Sequence, residues 1–516
     1  MKIKKILASA LCLTMCLAVT ASAGFIAGCK KPSRELVNDI VFDEFGDPIF
    51  TDENGKGIRL NIQSVIGSPD NAKLELVNTA FNDYYRSSGL QAEISSVENG
   101  VFYQQIANTI TTDPKNAPDV IIFHSERLTY FASQKILVPM DQTFEFLGDN
   151  NTFSTDNYLE NVIAECYDKS GTLYGVPLDV HSGVWYVRKD IIEKNGLTMP
   201  STKAEFEAVC KALMEKKADG TLWTRDMTAV KSQIDALSNP NDEQAKQKIR
   251  ESAWKQVGAD TAANFFPVEM SGADNIEAGW IPQSAVLQNG GKLTKDDGTP
   301  AWNTSAGLKN TLEMIEGWQD KYIGANRDSQ TLFANLGNGN AVFGCEGPWW
   351  LEQRLNEYDG YLGEGALGIL SLSGLYADNP QSGDAHKIYG VGHVFSITNT
   401  AANSSATRRV AAALYAKFMT ENAIKYTEGG HLPACKSVLD NPEYKNSTAY
   451  NRYLKFMGQP EDYVMLGNTQ YFSPVYEQLK TAYIWTLSKN KSGTVEEHIK
   501  GCFDEAMAQI KGADDL

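Results

Sequence analysis

The sequence predicts an α/β fold in two lobes. Three observations point there. From Ile58 to Phe123, stretches of strand and helix character alternate, as they do when helices cross over a mainly parallel sheet. The segment Gly171 to Asp190 reads as strand, break, strand. Tyr174 to Pro177 runs extended, Ser182-Gly183 interrupts, and Val184-Trp-Tyr-Val187 resumes. The chain has 516 residues and an ordinary globular composition, room for two or three domains or one large two-lobed unit. Asp179, His181 and Ser182 lie inside the otherwise apolar segment. They suit either an edge strand with a solvated face or a crossover whose polar groups face a cleft between lobes.

The chain starts with Lys2, Lys4 and Lys5, then an apolar run from Ile6 to about Val19. That is the pattern of a signal peptide, here residues 1–28. Its end, Ile26-Ala-Gly-Cys29, resembles the lipobox of bacterial lipoproteins, which implies a lipidated Cys29 and an extracytoplasmic, membrane-anchored protein. An ordinary cleavage after Ala21-Ser-Ala23 and retention as a membrane helix are the other readings. Residues 29–56 are rich in charge, Gly and Pro, and a flexible tether is expected.

The first lobe is expected over 57–180 plus 372–420. Ile58 to Gln63 alternates with period two, and Val65-Ile66 continue it. Gly67-Ser-Pro-Asp70 is a turn suited to capping a helix, whose face is Leu74, Val77, Ala80, Phe81 and Tyr84. Gln91 to Val97 is a strand, Tyr103 to Ile110 a helix, and Ala117 to Phe123 a buried strand. Ligands of such sheets bind at loops beyond the strand carboxyl ends. Two loops qualify, one carrying Ser68 and Asp70, the other His124-Ser-Glu126-Arg127.

The second lobe is expected over 181–371 plus 421–516. Thr202 and Glu205 have capping-box spacing ahead of the face Phe206, Val209, Cys210, Leu213 and Met214. Residues 225–262 are polar, charged and read as helical, and Asn264 to Asp274 breaks that pattern. Leu308 to Trp318 is helical. Leu367 to Leu370 and Tyr389 to Ile397 read as strands, Val410 to Met419 and the stretch from Val495 as helices.

Several of these stretches resemble one family. Gly-x-Leu-Tyr-Gly-Val-Pro-Leu178, then Arg188-Lys-Asp190 and Asn195-Gly-Leu197, is similar to family 1 extracellular solute-binding proteins, the substrate-capturing subunits of ABC importers, many for sugars. The family usually carries Tyr-Asn-Lys-Asp where this chain has Val187-Arg188-Lys189-Asp190. Pro118 to Leu128 resembles a maltodextrin-binding segment. By position Glu126 and Arg127 match its sugar-gripping polar pair, and Phe123 its Trp. Read as structure alone, Glu126 and Arg127 are a first-turn acid and a surface base. Gly347-Pro348-Trp349 matches a family triplet whose Trp stacks on a sugar ring, with Trp350 assigned to the core. An indole held by a turn suits the C–H face of a sugar. The resemblance further implies cleft positions at Asp274 and Trp280, at His431 in the loop Tyr426 to Ser437, and at Tyr471. His181 falls where the family has a sugar-contacting acid. Trp280 suits packing as well, and His431 a surface position. Trp185 and Tyr186 point to opposite faces of their strand, so one of them is expected to face the cleft.

The implied fold is the type II periplasmic-binding-protein-like one, its lobes joined by about three hinge crossovers near 178–182, 370–373 and 419–422. The implied function is capture of a carbohydrate, an oligosaccharide, by a monomer that docks on a permease, with no cofactor. A net charge of −17 argues against nucleic acid and against a basic membrane-binding face. Five cysteines outside the leader, scattered and without CxxC, form neither a disulfide framework nor a zinc site, though one or two bridges stay open outside the cytoplasm. Walker A, Gly-x-Ser-x-Gly, HExxH and dinucleotide fingerprints do not occur. Two rivals stand beside this reading. One is a surface-anchored glycosidase using Asp179 or Glu126 with a second carboxylate; the other is a glycan-binding adhesin with an open groove.

Overall fold

The structure is a computed structural model that describes residues 40–44, 46–51, 55–148, 150–270, 276–324, 329–466, 469–488 and 491–514. The signal peptide, Cys29 and the first part of the tether lie outside the described residues, as does Asp274. Among the described residues no helix is long and apolar enough to cross a membrane. The strands, in chain order, are β1 (Ile58–Ser64), β2 (Leu90–Ser96), β3 (Val120–His124), β4 (Val176–Pro177), β5 (Asp179–Val180), β6 (Val184–Val187), β7 (Leu222–Thr224), β8 (Lys255–Val257), β9 (Val268–Glu269), β10 (Phe343–Glu346), β11 (Gly368–Ser371), β12 (Ile388–Tyr389), β13 (His393–Ile397), β14 (Leu432–Pro433) and β15 (Tyr463–Val464).

A five-stranded sheet has the order β2-β1-β3-β13-β4 and a four-stranded sheet the order β11-β6-β10-β9. The parallel expectation holds for β2, β1 and β3 only. β13 is antiparallel to both β3 and β4, because it enters from the far side after the chain has built the second sheet. In the second sheet only β10 and β9 are parallel. The chain leaves the first sheet after β4, passes through β5, which pairs with β14, enters the second sheet at β6 and returns from β11 to β13.

Local sequence explains most of the elements that hold the first sheet. Leu74, Val77 and Phe81 are the buried face of the helix Asp70–Tyr84, with Asn78 among them. Asn78 Nδ2 donates to the Ala92 carbonyl and its Oδ1 accepts from the Tyr415 hydroxyl, so a polar residue sits satisfied on an apolar face. Tyr84, expected on that face, is exposed, and Tyr85 is the buried ring. Asp70 does not cap this helix. Pro69 holds the cap position without a side-chain bond, and the Asp70 carboxylate is used elsewhere. The helix Ala406–Glu421 buries an Ala-rich face against β1, β4 and β13.

The stretch from Val41 to Thr51 departs from the expected tether. It turns back at Gly46, which has φ +84°, and Phe50 is buried with its N–H on the Ser88 carbonyl. Asp47 accepts from the side chains of Asn150 and Asn151. Apolar residues on a short hairpin give this segment a place to pack that charge content alone conceals.

In the second sheet, Thr202 caps the helix Lys203–Ala218 as expected, accepting from the Glu205 N–H at 3.3 Å. Glu205 in turn accepts from Ser201. The polar stretch 225–262 holds the helices Met227–Asp235 and Glu243–Ser252 and then β8. Arg188, at the position where the family carries Asn, is fully buried and grips Asp190 through Nε and Nη2, both at 2.9 Å. Arg225 reaches the same carboxylate at 2.8 Å. The departure from the family pattern is a buried, paired ion cluster under the sheet. Cys166, Cys210, Cys345, Cys435 and Cys502 are all buried free thiols.

Candidate functional site

Strand pairing brings five histidine and carboxylate side chains together where the first sheet meets the crossover. β5 and β14 pair antiparallel with Leu432 opposite Val180 and Pro433 opposite Asp179, which sets His431 across from His181. β3 and β13 pair with His393 opposite His124, at the carboxyl end of β3. The place is the one expected of an open α/β sheet. β13 comes this close to β5 because residue 392 is glycine; a Cβ there would stand 2.3 Å from the Asp179 carbonyl oxygen.

The Asp179 carboxylate is the centre. It accepts from the His393 backbone N–H and the Tyr426 hydroxyl, both at 2.8 Å. The Nδ1 atoms of His393, His431 and His181 lie 2.9, 3.0 and 3.5 Å from it. His431 Nε2 bonds Asp70 Oδ2 at 2.8 Å. Asp70, Asp179, His181, His393 and His431 are all buried. Burial works against the Asp179 charge, but His393 and His431 outweigh it and hold its pKa well below the usual carboxylate range. Burial likewise works against a charged His431, and the Asp179 and Asp70 carboxylates reverse it, raising its pKa to about 10. His181 is pushed down to about 4, first by burial, with Asp179 opposing. His124 is also held low by burial and by its neighbours His393 and His181.

An aromatic wall stands beside this polar group. The rings of Trp280 and Trp349 lie 6.2 Å apart, and each lies 6.5 Å from the His181 ring. Both are positioned by glycine. A Cβ on Gly183 would stand 2.6 Å from the Trp280 ring, and one on Gly347 would stand 2.2 Å from that of Trp349. Trp280 is buried and Trp349 half-buried. The turn Pro348–Trp350 leads into the helix Leu351–Leu362, as the Gly-Pro-Trp triplet suggests. Trp350, assigned to the core, is half-buried with the Arg354 guanidinium above it.

Glu126 and Arg127 belong to a neighbouring group. The Arg127 guanidinium stands over the rings of Tyr103 and Phe472, at 5.2 and 4.5 Å, and Nη1 donates to Ser473 Oγ at 2.9 Å. Glu126 is half-buried, and burial raises its pKa to about 7 against the pull of Arg127.

Other expected contacts fall elsewhere. Phe123 is fully buried, edge-on to Phe131 at 5.1 Å, because strand alternation turns it away and brings His124 to the site. Trp185 and Tyr186 are both buried, since β6 lies between β11 and β10. Trp185 Nε1 donates to the Tyr376 hydroxyl, and the Tyr186 hydroxyl to the Gly347 carbonyl. Ser68 is exposed in its turn. Tyr471 precedes the helix Phe472–Thr486 with Lys169 6.0 Å from its ring, and Phe472 is the aromatic that meets Arg127. Sequence reasoning missed His393 and Tyr426, and gave His124 only as the first residue of a candidate loop. The available signal was the run Gly390-Val-Gly-His393, where a strand opens on glycines and a histidine.

Glu346, at the end of β10 beside the Gly-Pro-Trp turn, is buried, and desolvation raises its pKa from 4.5 to about 7. The folded protein therefore holds a proton that the unfolded chain releases, and stability falls as pH rises through that window. Glu346→Gln keeps the acceptor for the Gly347 N–H, which now stands at 2.9 Å. Its gain over the parent is near zero at about pH 4 and grows to roughly 1–3 kcal/mol above about pH 7. Urea midpoints of both proteins across that range check this; a pH-independent difference contradicts it.

The family model described as bacterial extracellular solute-binding protein matches residues 83–452. Among curated protein sequences none matches the chain. Solved structures share its fold. The GacH receptor of Streptomyces glaucescens, solved unliganded and with acarbose, superposes with a TM-score of 0.62 at 15% identity, covering 88% of this chain and 98% of that one. The sugar-binding protein MalE of Xanthomonas citri gives 0.62 at 16% identity, covering 89% and 100%. The maltose/maltodextrin-binding domain MalE of Bdellovibrio bacteriovorus, bound to maltotriose, gives 0.57 at 18% identity, covering 88% and 100%.

Proposed function

Because the chain belongs to the bacterial extracellular solute-binding proteins, we propose that it captures a carbohydrate, an oligosaccharide, between two lobes and delivers it to the transmembrane subunits of an ABC importer. A solute-binding protein is not an enzyme: it releases its ligand unchanged. The family places the chain outside the cytoplasm. Cys29, lipidated, is its anchor to the membrane in this reading.

One observation carries the choice of ligand. Trp280 and Trp349 form an aromatic wall directly beside His181, so a flat π-face and polar groups meet at one place. A pyranose has that duality, with apolar C–H faces and a rim of hydroxyls. The acarbose and maltotriose held by the similar structures support the same class. Glu126, Arg127, Asp70 and Asp179 are the polar residues proposed around it. Binding favours the closed arrangement of lobes by the difference in affinity for the two states, and the closed form is the one that docks.

A thermal-shift screen of the full chain against mono- and oligosaccharides tests this. A sugar at 100 times its Kd adds about 2.7 kcal/mol and raises the unfolding midpoint. The expected result is a stabilising oligosaccharide recovered intact. No stabilisation by any sugar withdraws the carbohydrate reading, and a cleaved sugar withdraws the binding-protein mechanism.

A further inference from the structure

We propose that Asp179, His181, His393 and His431 form a binding site for a divalent transition-metal ion, Zn²⁺ first, beside the Trp280 and Trp349 rings. The ligand atoms of the four residues all lie within 4.8 Å of one another. Three imidazoles and one carboxylate are a donor set that suits zinc and its neighbours rather than calcium or magnesium, which take oxygen.

The geometry is specific. Each ring turns Nδ1 toward the Asp179 carboxylate, at 2.9, 3.0 and 3.5 Å. Bonds of about 2.0–2.1 Å around a tetrahedral ion set neighbouring ligand atoms roughly 3.3 Å apart, and ring centres roughly 5 Å apart. The ring centres of His181–His431, His181–His393 and His393–His431 are 4.7, 5.0 and 5.6 Å apart. An ion would draw the widest-spaced ligand atoms together by about 1 Å or more to reach that tetrahedral edge.

Two further observations point to a ligand. His181 Nδ1 and His431 Nδ1 are buried and face this point, with the Asp179 carboxylate as their polar neighbour at 3.5 and 3.0 Å but no well-aligned hydrogen bond. Hydrogen-bonding groups so enclosed are rarely left unsatisfied. Asp70 bonds the other nitrogen of His431, the arrangement by which a carboxylate orients a metal-bound histidine and leaves the opposite nitrogen for the ion. Coordination through Nδ1 uses the neutral ring, so any proton on that nitrogen passes to solvent as the ion binds. The residues come from the β5 crossover, the start of β13 and the loop before β14, so one ion would tie three segments together. Asp70 acts as a positioning residue.

This proposal does not rest on the carbohydrate reading, and its test needs no sugar. The full chain is stripped with chelator, then titrated with Zn²⁺ by calorimetry, with Mg²⁺ as comparison; Co²⁺ uptake is followed by visible absorption. The expected result is one Zn²⁺ per chain, no Mg²⁺ heat, and the intense visible bands of tetrahedral cobalt. His393→Gln and His181→Gln should each lose more than the roughly 100-fold that removal of an outer partner can cost, and Asp70→Asn roughly 10–100-fold. A folded parent chain that takes up no Zn²⁺, or cobalt bands that are not tetrahedral, overturns the proposal. Uptake unchanged in folded His393→Gln and His181→Gln also overturns it. Should these variants not fold, the parent's stoichiometry and cobalt spectrum decide.

Discussion

Trp349→Ala lowers carbohydrate affinity by about 1–3 kcal/mol, a factor of roughly 5–150 in Kd. The indole is half-buried, folded over Gly347 and 6.2 Å from Trp280. Its place is held before a ligand arrives, so little ordering entropy is spent on binding. Truncation removes the stacking face and leaves the neighbouring polar group in place. Titration of the parent and variant with the same sugar checks this. Equal affinities in two folded proteins would make Trp349 a packing residue and leave the wall to Trp280.

Asp179→Asn destabilises the fold by about 3–5 kcal/mol. The carboxylate accepts from a backbone N–H and a tyrosine hydroxyl, with three imidazoles around it, and it is fully buried. Asparagine has one acceptor oxygen, and its NH₂ would face groups that also donate. The charged His431 would then keep Asp70 as its carboxylate partner while losing the other. Urea unfolding of chelator-treated parent and variant measures the loss as a drop in midpoint. An unchanged midpoint would mean that the cluster is not held together by this carboxylate.

Much of the fold was legible because it is local. The alternation at Ile58 to Gln63, the cap at Thr202 and the break at Ser182-Gly183 each depend on neighbours in sequence. The direction of β13 was not legible, because it is set by where the chain returns from, more than two hundred residues after the break at Ser182-Gly183. The packing of Val41 to Thr51 is not legible for a related reason: the partners of Phe50 and Asp47 are distant in sequence.

The site divides in the same way. Gly347-Pro-Trp349 and Trp280 could be picked out as motifs or by position, and they do stand side by side. Asp70, Asp179, His181 and His431 were named as separate cleft residues, and nothing in their spacing shows that they meet around one carboxylate. His393 was missed although its strand was identified, because a histidine on an apolar strand has a role only when its cross-strand neighbours are known. Phe123 and Trp185 were drawn in by resemblance and by aromatic character; strand alternation and the central place of β6 bury them.

Calorimetric titration of the full chain with maltotriose and longer linear oligosaccharides, the sugar being recovered and analysed afterwards, decides whether this protein captures sugars. The expected result is saturable binding of one sugar per chain, a negative heat-capacity change from burial against the aromatic wall, and an unaltered ligand. Absence of binding to any oligosaccharide, by a chain that unfolds cooperatively, would contradict it.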